Sequence, residues 1–195
     1  MPRFQISETL LIRTLATSDA SELYDLVDTN REYLRQWLPW LDVNLNVIDS
    51  EEFIAATLDQ QSSGLGFQCG MFMNGMLVGM VGYHPINRSN DTVVSGYWLA
   101  ENMQGQGLVT RCVEFLTSYA FNALDINKVC IPVAEGNAAS RAIPERLDFV
   151  NEGVERQAEK LYGRYVNHVR YSVLHEEWKA RMEVSMASVK VTTGV

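Results

Sequence analysis

Residues 95 to 110 carry the sequence Ser-Gly-Tyr-Trp-Leu-Ala-Glu-Asn-Met-Gln-Gly-Gln-Gly-Leu-Val-Thr. An alternating apolar segment ends at Leu99, a short polar turn follows, and a helical run opened by two glycines extends through Tyr119. The first amide N–H groups of a helix lack intrahelical partners, and the helix dipole adds positive potential at that end. Gly105 and Gly107 carry no side chain that would hold an anion away from these amides. The stretch therefore predicts a cradle for a diphosphate.

The spacing of these glycines differs from two common phosphate-binding motifs. No Gly-Lys-Ser/Thr follows them, as a P-loop would require. The Gly-x-Gly-x-x-Gly fingerprint of dinucleotide-binding folds also does not fit, and that motif would follow the first strand rather than lie in mid-chain. A glycine turn between a strand and a helix also occurs as a purely structural element. The motif alone leaves both interpretations open.

Hydrophobic periodicity predicts strands and helices that alternate along the chain. The predicted strands are residues 10–15, 67–73, 76–83, 92–99 and 128–133, followed by two segments up to Leu174 that join near Tyr162-Gly163. The predicted helices begin near Ser18, residue 30, Asp49 or Ser50, residue 107 and residue 137. Asn74-Gly75 is the strongest hairpin signal. Crossover helices join parallel strands and hairpins join antiparallel ones, so the order predicts an α/β fold with a mixed sheet.

Composition and net charge limit the number of domains and the kinds of partner that the chain can have. The chain has 195 residues, 47% of them apolar or aromatic, which is enough for one good core and one domain. Its net charge of −8 argues against a nucleic-acid partner bound through a basic face. An acidic surface suits a cationic amine or peptide, although net charge bears first on solubility. We expect a single domain over residues 1–182 and a loose tail of small and polar residues over 183–195.

The cysteines and the N-terminus predict a cytoplasmic protein. Cys69, Cys112 and Cys130 are odd in number and lie in apolar contexts without C-x-x-C spacing, which is typical of reduced core residues. There is no signal peptide and no apolar window long enough to span a bilayer, so we expect no membrane partner. The three histidines are scattered and do not predict a metal site.

The segment Gln104-x-x-Gly107-x-Val109 resembles the acetyl-coenzyme A signature of the GNAT N-acetyltransferases, Gln/Arg-x-x-Gly-x-Gly/Ala. Asn137-Ala-Ala-Ser140, the run to Leu147-Asp148-Phe149 and the segment 163–168 follow in the order of the RimJ/RimL branch of that family. The segments 96–99, 104–107 and 157–159 are specifically similar to RimL-type ribosomal-protein N-terminal acetyltransferases. The resemblance runs from about Leu10 to Trp178.

The resemblance implies a GNAT fold: a mixed, mostly antiparallel sheet of about seven strands flanked by helices, with the fourth and fifth strands splayed apart. It implies acetyl-coenzyme A as cosubstrate, no metal, and transfer of the acetyl group to a primary amine. Homodimers are common among relatives. The residues that it assigns to the cofactor are Trp98, Leu99, Gln104, Gly105, Gln106, Gly107, Leu108, Val109, Thr110 and Asn137. Asn137 can also be an ordinary N-cap, and the two roles are compatible.

Acetyl transfer requires that the amine lose a proton and that the departing thiolate be protonated or solvated. No Ser-His-Asp or Cys-His arrangement points to a covalent intermediate, so direct attack by the amine is the simpler mechanism. The resemblance assigns Ser140 as the general acid and Glu159 as the base acting through water. On structural grounds alone, Ser140 can be an exposed residue of a first helical turn, and Glu159 a solvated strand residue.

The aromatic residues Tyr33, Trp37 and Trp40 are predicted to line one wall of the acceptor site. Aromatics at helical spacing are more often part of a core, and this second interpretation remains open. In the resembling family the corresponding segment borders the acceptor cleft.

Three residues depart from the family pattern in ways that bear on catalysis. Val109 replaces a Gly or Ala and would crowd the phosphates if its side chain pointed toward them. Pro144 removes the helical hydrogen bond to the Ser140 carbonyl, and Asp148 replaces a helix-ending glycine. Many relatives carry a carboxylate on the fourth strand where this chain has Val94. Few residues other than Glu159 are therefore candidates for the base.

Three functions follow from the sequence. The first is acetylation of a protein N-terminal α-amine, with a ribosomal protein as the expected partner. The second is acetylation of a small amine or antibiotic-like acceptor by the same machinery. The third is a non-catalytic module that binds coenzyme A, for which Val109 and Pro144 are the best support.

Overall fold

Eight strands form one sheet in the computed structural model, which describes the backbone of residues 1–192 and the side chains of residues 1–183. The strands are β1 (Arg3–Gln5), β2 (Leu10–Arg13), β3 (Gln68–Met73), β4 (Met76–Tyr83), β5 (Thr92–Leu99), β6 (Lys128–Ala134), β7 (Val150–Leu161) and β8 (Arg164–Leu174). The helices are α1 (Ala20–Thr29), α2 (Arg31–Arg35), α3 (Val47–Ser62), α4 (Leu108–Ala123), α5 (Ala138–Arg146) and α6 (His175–Thr192).

The strand order across the sheet is β1-β2-β3-β4-β5-β6-β8-β7. Every neighbouring pair is antiparallel except β5 and β6, which are parallel and joined through α4. The predicted α/β class and mixed, mostly antiparallel sheet are confirmed. The expected number of about seven strands is one too few, because β1 has three residues and is too short to show a periodic pattern.

The Asn74-Gly75 turn joins β3 and β4 as the sequence predicted. Both residues have positive φ angles, 51° for Asn74 and 84° for Gly75, and Met73 pairs with Met76 across the turn. These are the requirements of a type I′ hairpin, whose twist matches that of the strands.

Strands β5 and β6 part along their length. They pair in register only from Thr92 opposite Lys128 to Val94 opposite Cys130. Beyond this point β5 keeps its hydrogen-bonded partner β4 up to Leu99, and β6 pairs with β8 up to Ala134. The expected splay is therefore present, and it opens a slot in the middle of the sheet.

Two apolar clusters cover the two faces of the sheet. One is built around α4 and includes Leu108, Val109, Cys112 and Leu116, together with residues of β4, β6 and β8. The other packs α1 and α3 against β3 and β4 through residues such as Leu23 and Ile54. All three cysteines are buried and free. No helix within residues 1–192 is long and apolar enough to cross a bilayer.

Two element boundaries differ from the sequence prediction. Helix α3 begins before Asp49, because Asn46 is its N-cap and accepts hydrogen bonds from the N–H groups of Ile48 and Asp49. Asp49 completes a capping box, since its carboxylate accepts from the N–H of Asn46. Helix α6 extends through Thr192, so the segment predicted as a loose tail is helical over 183–192. Residues 193–195 lie outside the described residues.

Candidate active site

Two cavities open on either side of the slot between β5 and β6. The first has a volume of about 900 Å³ and lies among α1, α3 and the facing ends of β5, β6 and β7. The second has a volume of about 570 Å³ and lies at the start of α4. The residues that line both are Trp37, Leu38, Tyr97, Trp98, Asn137 and Ser140. The two cavities thus meet beside the Ser140 side chain.

The second cavity contains the predicted diphosphate cradle. Gly105 and Gly107 have φ angles of 73° and 69°, a left-handed conformation that favours glycine, and Gly107 is the N-cap of α4. The Arg111 N–H donates to the Gly107 carbonyl at 3.1 Å, so the amides of residues 108–110 precede the first intrahelical hydrogen bond. The residues predicted to hold the cofactor all line this cavity: Trp98, Leu99, Gln104, Gly105, Gln106, Gly107, Leu108, Val109, Thr110 and Asn137.

Val109 does not crowd this cradle. Its side chain is buried in the apolar cluster around α4 and is 6% exposed. The residue therefore turns its apolar surface into the core, and its backbone N–H is one of the three that precede the first intrahelical hydrogen bond of α4.

Two arginines that sequence reasoning missed also line the second cavity. Arg111 follows the cradle on α4, and Arg146 reaches it from the end of α5, where its Nη1 lies 3.4 Å from Thr110 Oγ1. The described side chains that line this cavity include no Asp or Glu. Arg111 is visible in the sequence as a cation in the first turn after Gly107. Arg146 is brought there only by the packing of α5 on α4.

The charged side chains that line the second cavity are basic, whereas those that line the first cavity, apart from its histidines, are acidic. Asp49, Glu52 and Glu159 line it, and no Lys or Arg is present among its described lining residues. Trp37 and Trp40 form part of its wall, and Trp40 packs against Trp98 with ring centroids 6.2 Å apart.

Tyr33 and the two tryptophans Trp37 and Trp40 do not all line the same cavity. Tyr33 lines the second cavity, on the side of the cradle, and not the first. Burial, with a smaller contribution from the negative charge of Glu101, raises the pKa of Tyr33, so its hydroxyl keeps its proton at neutral pH. Tyr33 is separated from Trp40 because α2 ends at Arg35 and the chain turns before Pro39.

Ser140 lies in the first turn of α5, at the junction of the two cavities. Asn137 is the N-cap of this helix, as predicted, and its Oδ1 accepts a hydrogen bond from the Ser140 N–H at 3.1 Å. The Ser140 hydroxyl donates to the Tyr97 hydroxyl oxygen at 3.3 Å. The Tyr97 hydroxyl in turn donates to the Ser140 carbonyl at 3.1 Å. Burial raises the pKa of Tyr97, so the phenol stays protonated. Sequence reasoning missed Tyr97.

Helix α5 accommodates the two residues that depart from the family pattern at its end. Pro144 has no N–H to give to the Ser140 carbonyl, and Tyr97 supplies the missing hydrogen bond. The Phe149 N–H bonds to the Pro144 carbonyl at 3.0 Å and the Asp148 N–H to the Glu145 carbonyl at 3.3 Å, which is the pattern of a Schellman motif. Asp148 has a φ of 58°, and its carboxylate accepts from Arg181 Nε at 3.2 Å.

Glu159 lines the first cavity together with His168, which sequence reasoning did not connect with it. Glu159 Oε2 lies 3.1 Å from His168 Nε2 across the β7–β8 hairpin, and both side chains are largely buried. A register shift between Glu155 and Glu159 precedes the pair, with Gln157 at a φ of 53°. Bulges of this kind redirect side chains, and this one turns Glu159 toward the cavity. The sequence does contain a signal for this pair. A two-residue turn at Tyr162-Gly163 sets the register of the hairpin, in which position 159 pairs with 166 and is therefore diagonal to 168.

His84 is a further titratable residue on the wall of the first cavity. A Cβ at position 96 would lie 2.9 Å from His84 Nε2, so the absence of a side chain at Gly96 leaves room for the imidazole ring against β5. Burial lowers the pKa of His84, which keeps the ring neutral at pH 7. Among the side chains described, no group of three His, Cys, Asp or Glu residues has the arrangement of a metal site.

Comparison with known proteins identifies a family and relatives that match most of the chain. The family model described as an acetyltransferase (GNAT) domain matches residues 9–150. The putative ribosomal N-acetyltransferase YdaF of Bacillus subtilis is 34% identical to this chain, over 90% of this chain and 96% of YdaF.

Two solved structures with bound coenzyme are similar in fold. RimL, the ribosomal L7/L12 α-N-protein acetyltransferase, in complex with coenzyme A, superposes with a TM-score of 0.84 at 28% identity, covering 89% of this chain and 98% of RimL. The microcin C7 self-immunity acetyltransferase MccE, in complex with acetyl-CoA and AMP, has a TM-score of 0.83 at 26% identity, covering 87% of this chain and 94% of MccE. With the family model, the YdaF similarity and a splayed sheet in agreement, the chain belongs to the GNAT family of N-acetyltransferases.

Proposed function

We propose that this GNAT acetyltransferase transfers the acetyl group of acetyl-CoA to the N-terminal α-amine of a protein in the cytoplasm, with a ribosomal protein as the acceptor. The observation that carries the proposal is the meeting of two oppositely charged cavities beside Ser140. The cavity with Arg111 and Arg146 suits a diphosphate, and the cavity with Asp49, Glu52 and Glu159 suits a cationic amine.

In this proposal the diphosphate lies on the amides at the start of α4. The free N–H groups and the helix dipole favour the anion, and the two arginines add charge-assisted hydrogen bonds. The pantetheine arm then runs along the slot between β5 and β6, past Asn137. The thioester lies against the backbone of Trp98 and Leu99, which the splay leaves free of a partner on β6.

The amine enters from the first cavity and attacks the thioester carbonyl directly. Glu159 takes the amine proton through a water molecule, and His168 holds the carboxylate in place. The C–N bond forms and the C–S bond breaks. The Ser140 hydroxyl, whose hydrogen rests on Tyr97, rotates about its C–O bond and gives that proton to the departing thiolate. Solvent returns a proton to Ser140 and takes one from Glu159. A covalent acyl-cysteine intermediate is disfavoured, because all three cysteines are buried and burial raises the pKa of each thiol.

A protein acceptor is supported by relatives that include a putative ribosomal N-acetyltransferase and the L7/L12 acetyltransferase. A small acceptor is the second candidate, since the structure of MccE, which has comparable similarity, is a complex with acetyl-CoA and AMP. The non-catalytic alternative loses its main support. Val109 faces the core, and Tyr97 satisfies the carbonyl that Pro144 leaves free.

Release of free thiol from acetyl-CoA separates these candidates. The purified protein is assayed with peptides that begin with Ser, Ala or Met and with a panel of small amines. Turnover with peptides supports the proposal, turnover with amines alone supports the second candidate, and coenzyme binding without release contradicts both. Intact-mass spectra of ribosomal proteins from cells with and without the gene then identify the acceptor by a gain of one acetyl group.

A further inference from the structure

The Tyr97 hydroxyl contacts Ser140 twice. It donates to the Ser140 carbonyl at 3.1 Å and accepts from the Ser140 hydroxyl at 3.3 Å. A phenol has one hydrogen to give. Because that hydrogen is committed to the carbonyl, only the oxygen lone pairs of Tyr97 face the serine hydroxyl. The direction of the second hydrogen bond is therefore set by the first.

Pro144 is the reason that the first hydrogen bond is available. In a regular helix the N–H of residue 144 would donate to the carbonyl of residue 140. Proline has no N–H, so the Ser140 carbonyl is left for Tyr97. Pro144 is buried and its own carbonyl is bonded to the Phe149 N–H, so the proline belongs to a well-packed helix end.

We propose that Tyr97 is a positioning residue for the Ser140 hydroxyl, and that Pro144 keeps free the carbonyl that anchors Tyr97. The inference rests on the proposed function, since it takes Ser140 as the proton donor to the thiolate. Tyr97 and Ser140 both line the two cavities, at their junction. Strand β5 thereby fixes where the hydroxyl of α5 lies relative to the slot.

The first test is a kinetic comparison of Tyr97→Phe, Ser140→Ala and the double variant. Phenylalanine keeps the ring and removes only the hydroxyl. We expect Tyr97→Phe to lower kcat about tenfold with the KM for acetyl-CoA within about twofold of wild type, since the Ser140 hydroxyl loses the acceptor that holds it in place. The double variant should be no slower than Ser140→Ala alone. A Tyr97→Phe enzyme with wild-type kcat, or losses that multiply in the double variant, would overturn the inference.

Tyr171→Phe is the matched control. The Tyr171 hydroxyl also holds α5, because it donates to Glu145 Oε1 at 2.6 Å and accepts from Arg141 Nε at 3.0 Å. Tyr171 lines neither cavity. We expect Tyr171→Phe to lower the unfolding midpoint and leave kcat unchanged. An equal loss of kcat in both variants would show that anchoring the helix, rather than positioning Ser140, explains the effect of Tyr97.

A second test does not depend on turnover. Tyr97→Phe leaves the Ser140 carbonyl without its partner when residue 144 is proline, whereas in Pro144→Ala the new backbone N–H can donate to that carbonyl. We expect Tyr97→Phe to lower the unfolding midpoint by about 2–4 °C in the wild-type background. The fall should be less than half as large in the Pro144→Ala background. Equal falls would overturn the role given to Pro144, even if no acceptor supports thiol release and the proposed function fails.

Discussion

Glu159 Oε2 and His168 Nε2 lie 3.1 Å apart across the β7–β8 hairpin, on the wall of the first cavity. The imidazole restricts the orientation of the carboxylate, which we propose as the base of the reaction. The same hairpin offers a comparison pair outside both cavities, Glu155 with Arg170 at 2.9 Å.

Glu159→Gln should lower kcat by about 100-fold or more, because the amide keeps the size of the side chain but cannot accept the amine proton. The KM for acetyl-CoA should change little, since Glu159 does not line the second cavity, which contains the cradle. Thiol release under saturating acetyl-CoA measures kcat, and a titration of acetyl-CoA gives the KM. Glu155→Gln is the control and should keep wild-type kcat. A Glu159→Gln enzyme with more than half of that rate would exclude Glu159 as the base.

Arg111→Ala and Arg146→Ala should each raise the Kd for coenzyme A by about tenfold, which corresponds to about 1.4 kcal/mol for one charge-assisted hydrogen bond. Calorimetric titration with coenzyme A measures this, and the effect should weaken as ionic strength rises. Arg3→Ala, on β1 at the far edge of the sheet, should bind as the wild type does. Unchanged affinity in both cavity variants would mean that the diphosphate lies elsewhere.

Gly107→Ala separates backbone strain from ligand binding. Its φ is 69° and its Cβ would meet no atom within 4 Å, and Gly64 has a φ of 70° with the same open surroundings. Alanine in this conformation costs about 1–2 kcal/mol, so both variants should lose similar stability in thermal unfolding. Only Gly107→Ala places a methyl group in the cradle, and only it should lose affinity for coenzyme A. Equal affinity in the two variants would contradict the assignment of the cradle.

Asp19 should make stability depend on pH below neutrality. The hydrogen bonds from Arg13, at 2.7 and 2.9 Å, lower the pKa of this carboxylate from its usual 3.8. A lowered folded-state pKa contributes stability that is present above pH 3.8 and is lost as pH falls through the folded value.

Asp19→Asn should therefore cost about 2 kcal/mol at pH 7, since it removes charge-assisted bonds from a largely buried pair. Urea unfolding of both proteins from about pH 7 to pH 3 measures the difference, which should shrink below about pH 4. A difference that stays constant across this range would show that the carboxylate charge contributes nothing.

Much of the architecture follows from local chemistry. Asn74-Gly75 predicts its hairpin because both residues accept positive φ angles, and the helix after Gly107 follows from a clear apolar period. Strand β1 could not be found in this way. Its three residues take their place by pairing with β2, which is an interaction that a short window of sequence does not contain.

The candidate site likewise contains residues that the local sequence predicts and residues that only the tertiary packing brings together. The cradle is contiguous in sequence, so its residues were predicted together. Tyr97, Arg146 and His84 come from separate elements. The packing of α5 against β5 and α4, and the approach of His84 to Gly96, bring them to the cavities. Pro144 illustrates why helix propensity alone misleads, since a side chain on another strand completes its missing hydrogen bond.

The parted strands have a consequence for how the enzyme behaves in the absence of substrate. Three paired positions join β5 to β6 within the sheet, so the two halves of the molecule share a narrow hydrogen-bonded seam. A cofactor lying in the slot would bridge that seam, much as an added strand would. Amide hydrogen exchange along Ser95–Leu99 and Ile131–Ala134 should therefore slow sharply once coenzyme A is added, and the melting temperature should climb with its concentration.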